Sequence, residues 1–207
     1  MLFLILPVIQ YCKCLVAFKL GDDSQEMRER LSINPLVHLS VVGVISMLFC
    51  GIGWTKNLPI NSSNFYKVKD RKTGNLIVAF AGPCGCLILS FIFALILAVM
   101  TRFRFAGSAL GCSCLYVFNW IVHLSVFAAI FSCLPIPGMP GESIGEYFFP
   151  DLMAKLQPYK QLIFIGFLFL MFLPVNVAFA PFNKLAQVIT HVFYSACDGI
   201  VSLFCRA

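Results

Sequence analysis

Three histidines are present, His38, His123 and His191, and no two are near enough in sequence to share a helical turn. A helical zinc site needs two imidazoles four residues apart, a third ligand from elsewhere and a glutamate placed as base. No histidine here has a neighbouring Glu, so each reads as a hydrogen-bonded packing residue. Ser90, Ser125 and Ser132 fall in apolar segments, but none sits in a G-x-S-x-G elbow. Ser125 stands two residues from His123 and so on a different face of the same helix, leaving a serine dyad possible only between helices. Among the nine acids, Asp198 alone lies inside an apolar run, which leaves an intramembrane aspartyl dyad without its second carboxylate.

The ten cysteines include three C-x-C pairs: Cys12 with Cys14, Cys84 with Cys86, and Cys112 with Cys114. Side chains two apart on a helix diverge by about 200°, so one such pair cannot chelate an ion. They read as small apolar residues packing between helices, ahead of a thiolate metal site or a redox pair. The spacing matches neither a C-x2-C ribbon nor a secreted disulfide framework.

The elements that would carry these residues are apolar. The sequence is 60% hydrophobic and 12% charged, with 22 Phe. A soluble domain carries about a quarter charged residues, so without lipid this chain would expose large apolar patches. The net charge of +6 gives no basic face with interleaved aromatics, and nucleic acid is not expected as a partner. The lysines and arginines gather in short gaps, including Lys56, Lys67, Lys69, Arg71 and Lys72, as the positive-inside rule predicts for cytoplasmic loops.

Six apolar stretches follow one another: 1–18, 36–54, 76–100, 115–134, 161–180 and 185–204. The first holds Gln10 and Lys13 and lacks the flanks of a removable signal peptide. The second is short for a span, and the last fits either a span or an interfacial helix. Gly82-Pro83 should bend the third or delay its start. Pro135, Pro137, Gly138, Pro140 and Gly141 interrupt the chain after the fourth, and 142–160 reads as an amphipathic or interfacial loop. Lys13, Asn119, His123 and Asn176 are polar groups at membrane depth, which keeps a small transporter or channel as an alternative. Their bland reading is hydrogen bonding between helices.

Four short blocks, in order, resemble the site-2 protease family of intramembrane zinc metalloproteases in its compact bacterial form. Leu20-Gly21-Asp22-Asp23 with Leu31 and Asn34-Pro35-Leu36-x-His38 resembles the stretch after the family's zinc helix. Gly53-Trp54-Thr55-Lys56-Asn57-Leu58-Pro59-Ile60-Asn61 resembles its Gly-Trp-x-Lys-x-x-Pro-Val-Asn segment. Ala79-Phe80-Ala81-Gly82-Pro83 resembles its Ala-Gly-Pro helix start, and Leu134-Pro135-Ile136-Pro137 the proline-rich entry to its third ligand. Together the blocks cover most of residues 9–143.

The resemblance implies a zinc helix with H-E-x-x-H about a dozen residues before Gly21. That register falls on Ile9, Gln10, Tyr11, Cys12 and Lys13, so both histidines and the glutamate base are replaced. The third ligand, an aspartate before a glycine, falls on Pro140 before Gly141, and the asparagine after Ala-Gly-Pro falls on Cys86. Zinc is the cofactor of active members; here no cofactor is expected. Thiolates from Cys12, Cys14, Cys84, Cys86 and Cys133 could still gather around a soft ion, but the nearest carboxylate is Glu142.

The expected protein is a single all-α membrane-embedded domain over 1–207, with five or six hydrophobic helices and short irregular or strand-like interfacial pieces in 24–35 and 55–70. It would lie in a bacterial inner membrane, lack catalysis, and bind a transmembrane peptide or protein besides the bilayer. The alternatives are an active zinc metalloprotease with non-standard ligands and the transporter or channel.

Overall fold

The computed structural model describes residues 4–32, 34–38, 43–45, 58, 60–103, 109–137, 141–172 and 179–204. Outside them lie most of the candidate span 36–54, the Gly53–Asn57 part of the second motif block, Pro140, Pro174 and Asn176. The helices are α1 (Ile5–Leu20), α2 (Gln25–Arg30), α3 (Pro35–His38), α4 (Arg71–Arg102), α5 (Ala109–Ser132), α6 (Glu142–Phe148), α7 (Pro150–Leu156), α8 (Lys160–Phe172) and α9 (Ala180–Phe204). Among the described residues there are also two 3-10 turns, Ser62–Asn64 and Gln157–Tyr159.

Among the described residues there is no strand: of the pieces expected to be irregular or strand-like, 24–35 carries helix α2 and the described part of 55–70 is irregular around a 3-10 turn. Gln25–Arg30 (QEMRER) consists of straight-chain residues that lose little rotamer freedom in a helix, and it coils accordingly. The 55–70 stretch instead turns at Asn61, whose side chain accepts from the Ser63 N–H at 3.2 Å.

Among the described residues two helices are long and apolar enough to cross a membrane, α4 and residues Leu110–Ser132 of α5. At 1.5 Å per residue α4 is about 48 Å long, well beyond the ~30 Å hydrocarbon core. It starts at Arg71, ahead of the expected Leu76, because Asp70 caps it: its carboxylate accepts from the Lys72 N–H at 3.3 Å. Pro83 sits inside the helix rather than starting it, leaving the Ala79 carbonyl without its usual i+4 donor. The 16 residues of α1 reach about 24 Å, short of that core. The 13 residues of α8 reach about 20 Å.

α1 ends at Gly21, whose φ of +124° closes a Schellman motif. The Asp22 N–H donates to the Ala17 carbonyl at 3.1 Å and the Gly21 N–H to the Phe18 carbonyl at 3.1 Å. A Cβ at Gly21 would lie 2.5 Å from Tyr66 Cδ1 and 2.7 Å from the Asn64 carbonyl. Gly21→Ala is therefore expected to cost about 2 kcal/mol, read as a lower thermal midpoint in detergent.

Asp22, fully buried, binds the polar loop to this helix end by accepting from the Asn61 N–H at 2.8 Å and Asn64 Nδ2 at 3.4 Å. Beside it, the Arg28 guanidinium holds the exposed Asp23 carboxyl below its ordinary range. A lowered carboxyl stabilises the fold above its unfolded pKa, and that stabilisation is lost as pH falls through the folded value. With both partners largely exposed, the contribution is small.

α4 is the central element, packed by α1, α5, α6 and α9. On one side Ile5, Leu6 and Ile9 of α1 meet Cys86, Ala128 and Ala129. On the other, Val122 of α5 and Cys197 and Val201 of α9 meet Ala94, Leu97 and Ala98. The buried Ser90 hydroxyl donates to the Val122 carbonyl at 3.1 Å, fixing α4 against α5. An aromatic cluster of Phe127, Phe131, Phe167 and Phe179 joins α5 to α8 and to the start of α9.

Asn119 belongs to a helix–helix tie: its Oδ1 accepts from the Tyr194 hydroxyl at 2.5 Å. Tyr194→Phe should cost about 1 kcal/mol, seen as a lower melting midpoint, and the same change in an Asn119→Leu background should cost much less.

The interfacial reading of 142–160 resolves into α6, α7 and the second 3-10 turn. Tyr147, Phe148, Phe149, Leu152 and Tyr159 are exposed there. The Lys160 ammonium donates to both Glu142 oxygens at 2.8 Å, drawing the two ends together.

Candidate functional site

Ile9, Gln10 and Lys13 lie on the buried face of α1, exposed by 5%, 3% and 8%. Ile9 and Lys13 are one helical turn apart and so stand on one face. Both point at the same spot on α4. A Cβ built on Gly82 would lie 2.9 Å from Ile9 Cγ2 and 2.9 Å from Lys13 Cε. The i and i+4 geometry that two imidazoles would need is therefore present, without the imidazoles.

One turn further along α4, Gly85 packs on Cys12. A Cβ there would come within 2.4 Å of Cys12 Sγ and 3.1 Å of its Cβ. Two glycines three residues apart let the helix backbones approach, as small residues do at helix contacts in membranes. The first belongs to a recognisable motif block. Gly85 had no chemistry to mark it, though the Gly82-x-x-Gly85 spacing was the available signal.

Four of the expected thiol candidates gather about this contact. Lys13 lies within electrostatic range of Cys86 and Cys133, and Cys84 within range of Cys12 and Cys133. Cys14, on the same helix, is fully buried near Arg30 instead, in the cluster formed with Met27, Phe65 and Val78. Cys112 and Cys114 are exposed at the start of α5. Among the described residues no three His, Cys, Asp or Glu side chains are grouped as a metal ion would require.

The histidines do not converge. His38 is fully buried, with Nε2 2.8 Å from the Ser32 carbonyl, His123 is half-buried on α5 and His191 is exposed on α9. The proline-rich segment does approach the site through Cys133, which precedes it. Gly141, beyond it, turns back so tightly that a Cβ would stand 2.2 Å from the Leu134 carbonyl oxygen.

Zinc does not fit this arrangement. Ile9 offers no donor atom, Gln10 only an amide, and the Lys13 ammonium repels a divalent cation. Glu142, the carboxylate nearest in sequence to the motif positions, accepts from the Lys160 ammonium.

No protein-family model matches the chain, and no solved structure matches it. Among curated proteins it is 35% identical over 191 residues to "Putative zinc metalloprotease YwhC" of Bacillus subtilis (strain 168), covering 91% of this chain and 82% of that protein. It is 27% identical over 164 residues to "Putative zinc metalloprotease Rip2" of Mycolicibacterium smegmatis, covering 76% of this chain and 60% of that protein. The ordered motif blocks, the helical membrane architecture and a relative matched over most of both lengths agree: this chain belongs to the site-2 protease family of intramembrane zinc metalloproteases.

Proposed function

We propose that this chain is a non-catalytic member of its family, a multi-pass pseudoprotease of the bacterial inner membrane that binds a transmembrane partner. The convergence of Ile9 and Lys13 on Gly82 carries the reading. Two side chains that cannot ligate zinc share the face on which the family's ligands would stand. Without an ion no water is brought from a pKa of 15.7 toward about 7, and no nucleophile forms at neutral pH.

The Lys13 ammonium, next to thiols in a low-dielectric contact, occupies electrostatically the place the ion would take. What is left of the machinery is its scaffold: a closely packed α1 and α4, and a kinked segment after Cys133. An apolar cleft of about 400 Å³ opens where the start of α1 meets α5, lined by Leu4, Ile5, Tyr116, Val117, Trp120, Ile121 and Leu124. A hydrophobic segment of a partner fits that lining. In this reading α1, α8 and α9 join α4 and α5 to make five membrane-embedded helices, with the apolar 36–54 sequence as a candidate sixth.

Metal analysis of the detergent-purified chain tests the proposal. Well under 0.1 equivalent of zinc should survive gel filtration, and a transmembrane peptide should be held but not cut. Close to one tightly held zinc per chain, with metal-dependent cleavage, would establish the active enzyme instead. Ion flux from liposomes that falls on changing His123 or Asn119 would establish the transporter.

A further inference from the structure

α9 is the most amphipathic of the long helices, and its surface divides into three sectors. At about 100° per residue, Ala186, Thr190, Cys197 and Val201 fall in one sector, and all four are buried. Leu185, Val188, Val192 and Leu203 fall in a second, exposed and apolar as a lipid-facing surface is. Lys184, Gln187, His191, Ser195, Asp198 and Ser202 fall in the third, which is exposed and polar along its whole length. This third sector borders the junction with α5, where the Tyr194 hydroxyl donates to Asn119 Oδ1. α9 runs beside the spanning helix α4: Phe193 meets Phe91 edge-on at 5.8 Å between ring centres, and Val201 packs with Leu97 and Ala98. Ionisable groups at that depth face protein or water, because lipid tails offer them neither a hydrogen bond nor a counter-charge.

We propose that the polar sector of α9 is the docking face for a transmembrane helix of a second protein, one carrying a carboxylate at the level of Lys184 and a cation at the level of Asp198. The inference supplies the chemistry of the transmembrane partner proposed above, and rests on that reading for the placement of α9 in the membrane. Lys184 and Asp198 are fourteen residues apart, about 21 Å along the helix axis, and the partner's two charges need the same separation. Between them Gln187, His191 and Ser195 offer donors and acceptors to polar groups midway along the partner. A second copy of this chain does not fit. Two-fold packing of parallel helices would set Lys184 against Lys184 and Asp198 against Asp198, like charges in a low dielectric. An inverted copy would match the charges, since both lie equally far from His191. It would also carry Lys67, Lys69, Arg71 and Lys72 to the opposite side of the membrane, against the positive-inside bias.

The test places the full chain, labelled at its N-terminus with a donor fluorophore, in phosphatidylcholine nanodiscs with acceptor-labelled synthetic leucine–alanine helices. One peptide bears Asp and Lys fourteen residues apart on one face; the others bear two Asp, two Lys or neither. By energy transfer, the Asp–Lys peptide should bind about tenfold more tightly than the uncharged one, as polar contacts between membrane helices allow. Lys184→Asp should move the preference to the two-Lys peptide, and Asp198→Lys to the two-Asp peptide. Both variants should keep the wild-type melting midpoint, since the side chains are exposed. Equal binding of all four peptides, or a preference that neither substitution moves, would overturn the docking face and leave the apolar cleft as the partner's site. Self-association of the chain that is lost in Lys184→Asp would assign the face to a second copy and overturn it as well. Cleavage of the bound Asp–Lys peptide would instead overturn the non-catalytic reading and leave the docking face standing.

Discussion

Replacing Ile9, Gln10, Lys13 and Pro140 together (Ile9→His, Gln10→Glu, Lys13→His, Pro140→Asp) is expected to create a site that holds one zinc ion. The two imidazoles would stand at the positions that now converge on Gly82, four residues apart on a face already buried against α4. The substitution removes a cation and adds donors in the same place, so the electrostatic and coordinative changes act together. Micromolar or tighter binding corresponds to about 8 kcal/mol of affinity gained from nothing measurable. Zinc retained through gel filtration and competed by a chelator is the readout. Changing only the α1 positions should give weaker, readily stripped metal, since two imidazoles and no third ligand make an incomplete shell. If the fourfold variant folds and binds no more zinc than the wild type, the register that places the family's motif on residues 9–13 is wrong.

The second large effect lies at Gly85. A Cβ there falls 2.4 Å from Cys12 Sγ and 3.1 Å from Cys12 Cβ, so Gly85→Val must push α1 away from α4. Overpacking of this kind costs about 3 kcal/mol, enough to lower the melting midpoint by several degrees and to strip α1 from the bundle in proteolysis. Gly85→Ala should cost about half as much, because a sulfur on one rotatable bond can partly turn aside. Cys12→Ala in the Gly85→Ala background should restore most of the loss. A cycle with no coupling between the two positions would show that the contact is looser than the geometry requires. Gly166 and Gly199 serve as controls: a Cβ at either meets nothing within 4 Å.

The sequence alone determined the apolar surroundings and the family. Sixty per cent hydrophobic residues and so few charges can be reconciled only with lipid, whatever the helices do. Four ordered blocks pointed to the family, and within that register an aliphatic side chain, an amide and a cation, Ile9, Gln10 and Lys13, stand in place of two imidazoles and a carboxylate. Helix ends were partly legible: Gly21 stops α1 as a positive-φ residue should. The start of α4 at Arg71 was not, because the Asp70 cap competes weakly in sequence with the polar, proline-containing loop before it.

Only the tertiary structure decided which side chains meet. Helical periodicity says that Ile9 and Lys13 share a face but not what that face packs against. Gly82 and Gly85 settle it by letting two backbones come close. Lys13 comes within electrostatic range of Cys133, 120 positions away, and Tyr194 reaches Asn119 across 75. Such partners depend on how helices cross and in what register, which non-directional apolar packing fixes collectively and no single residue announces.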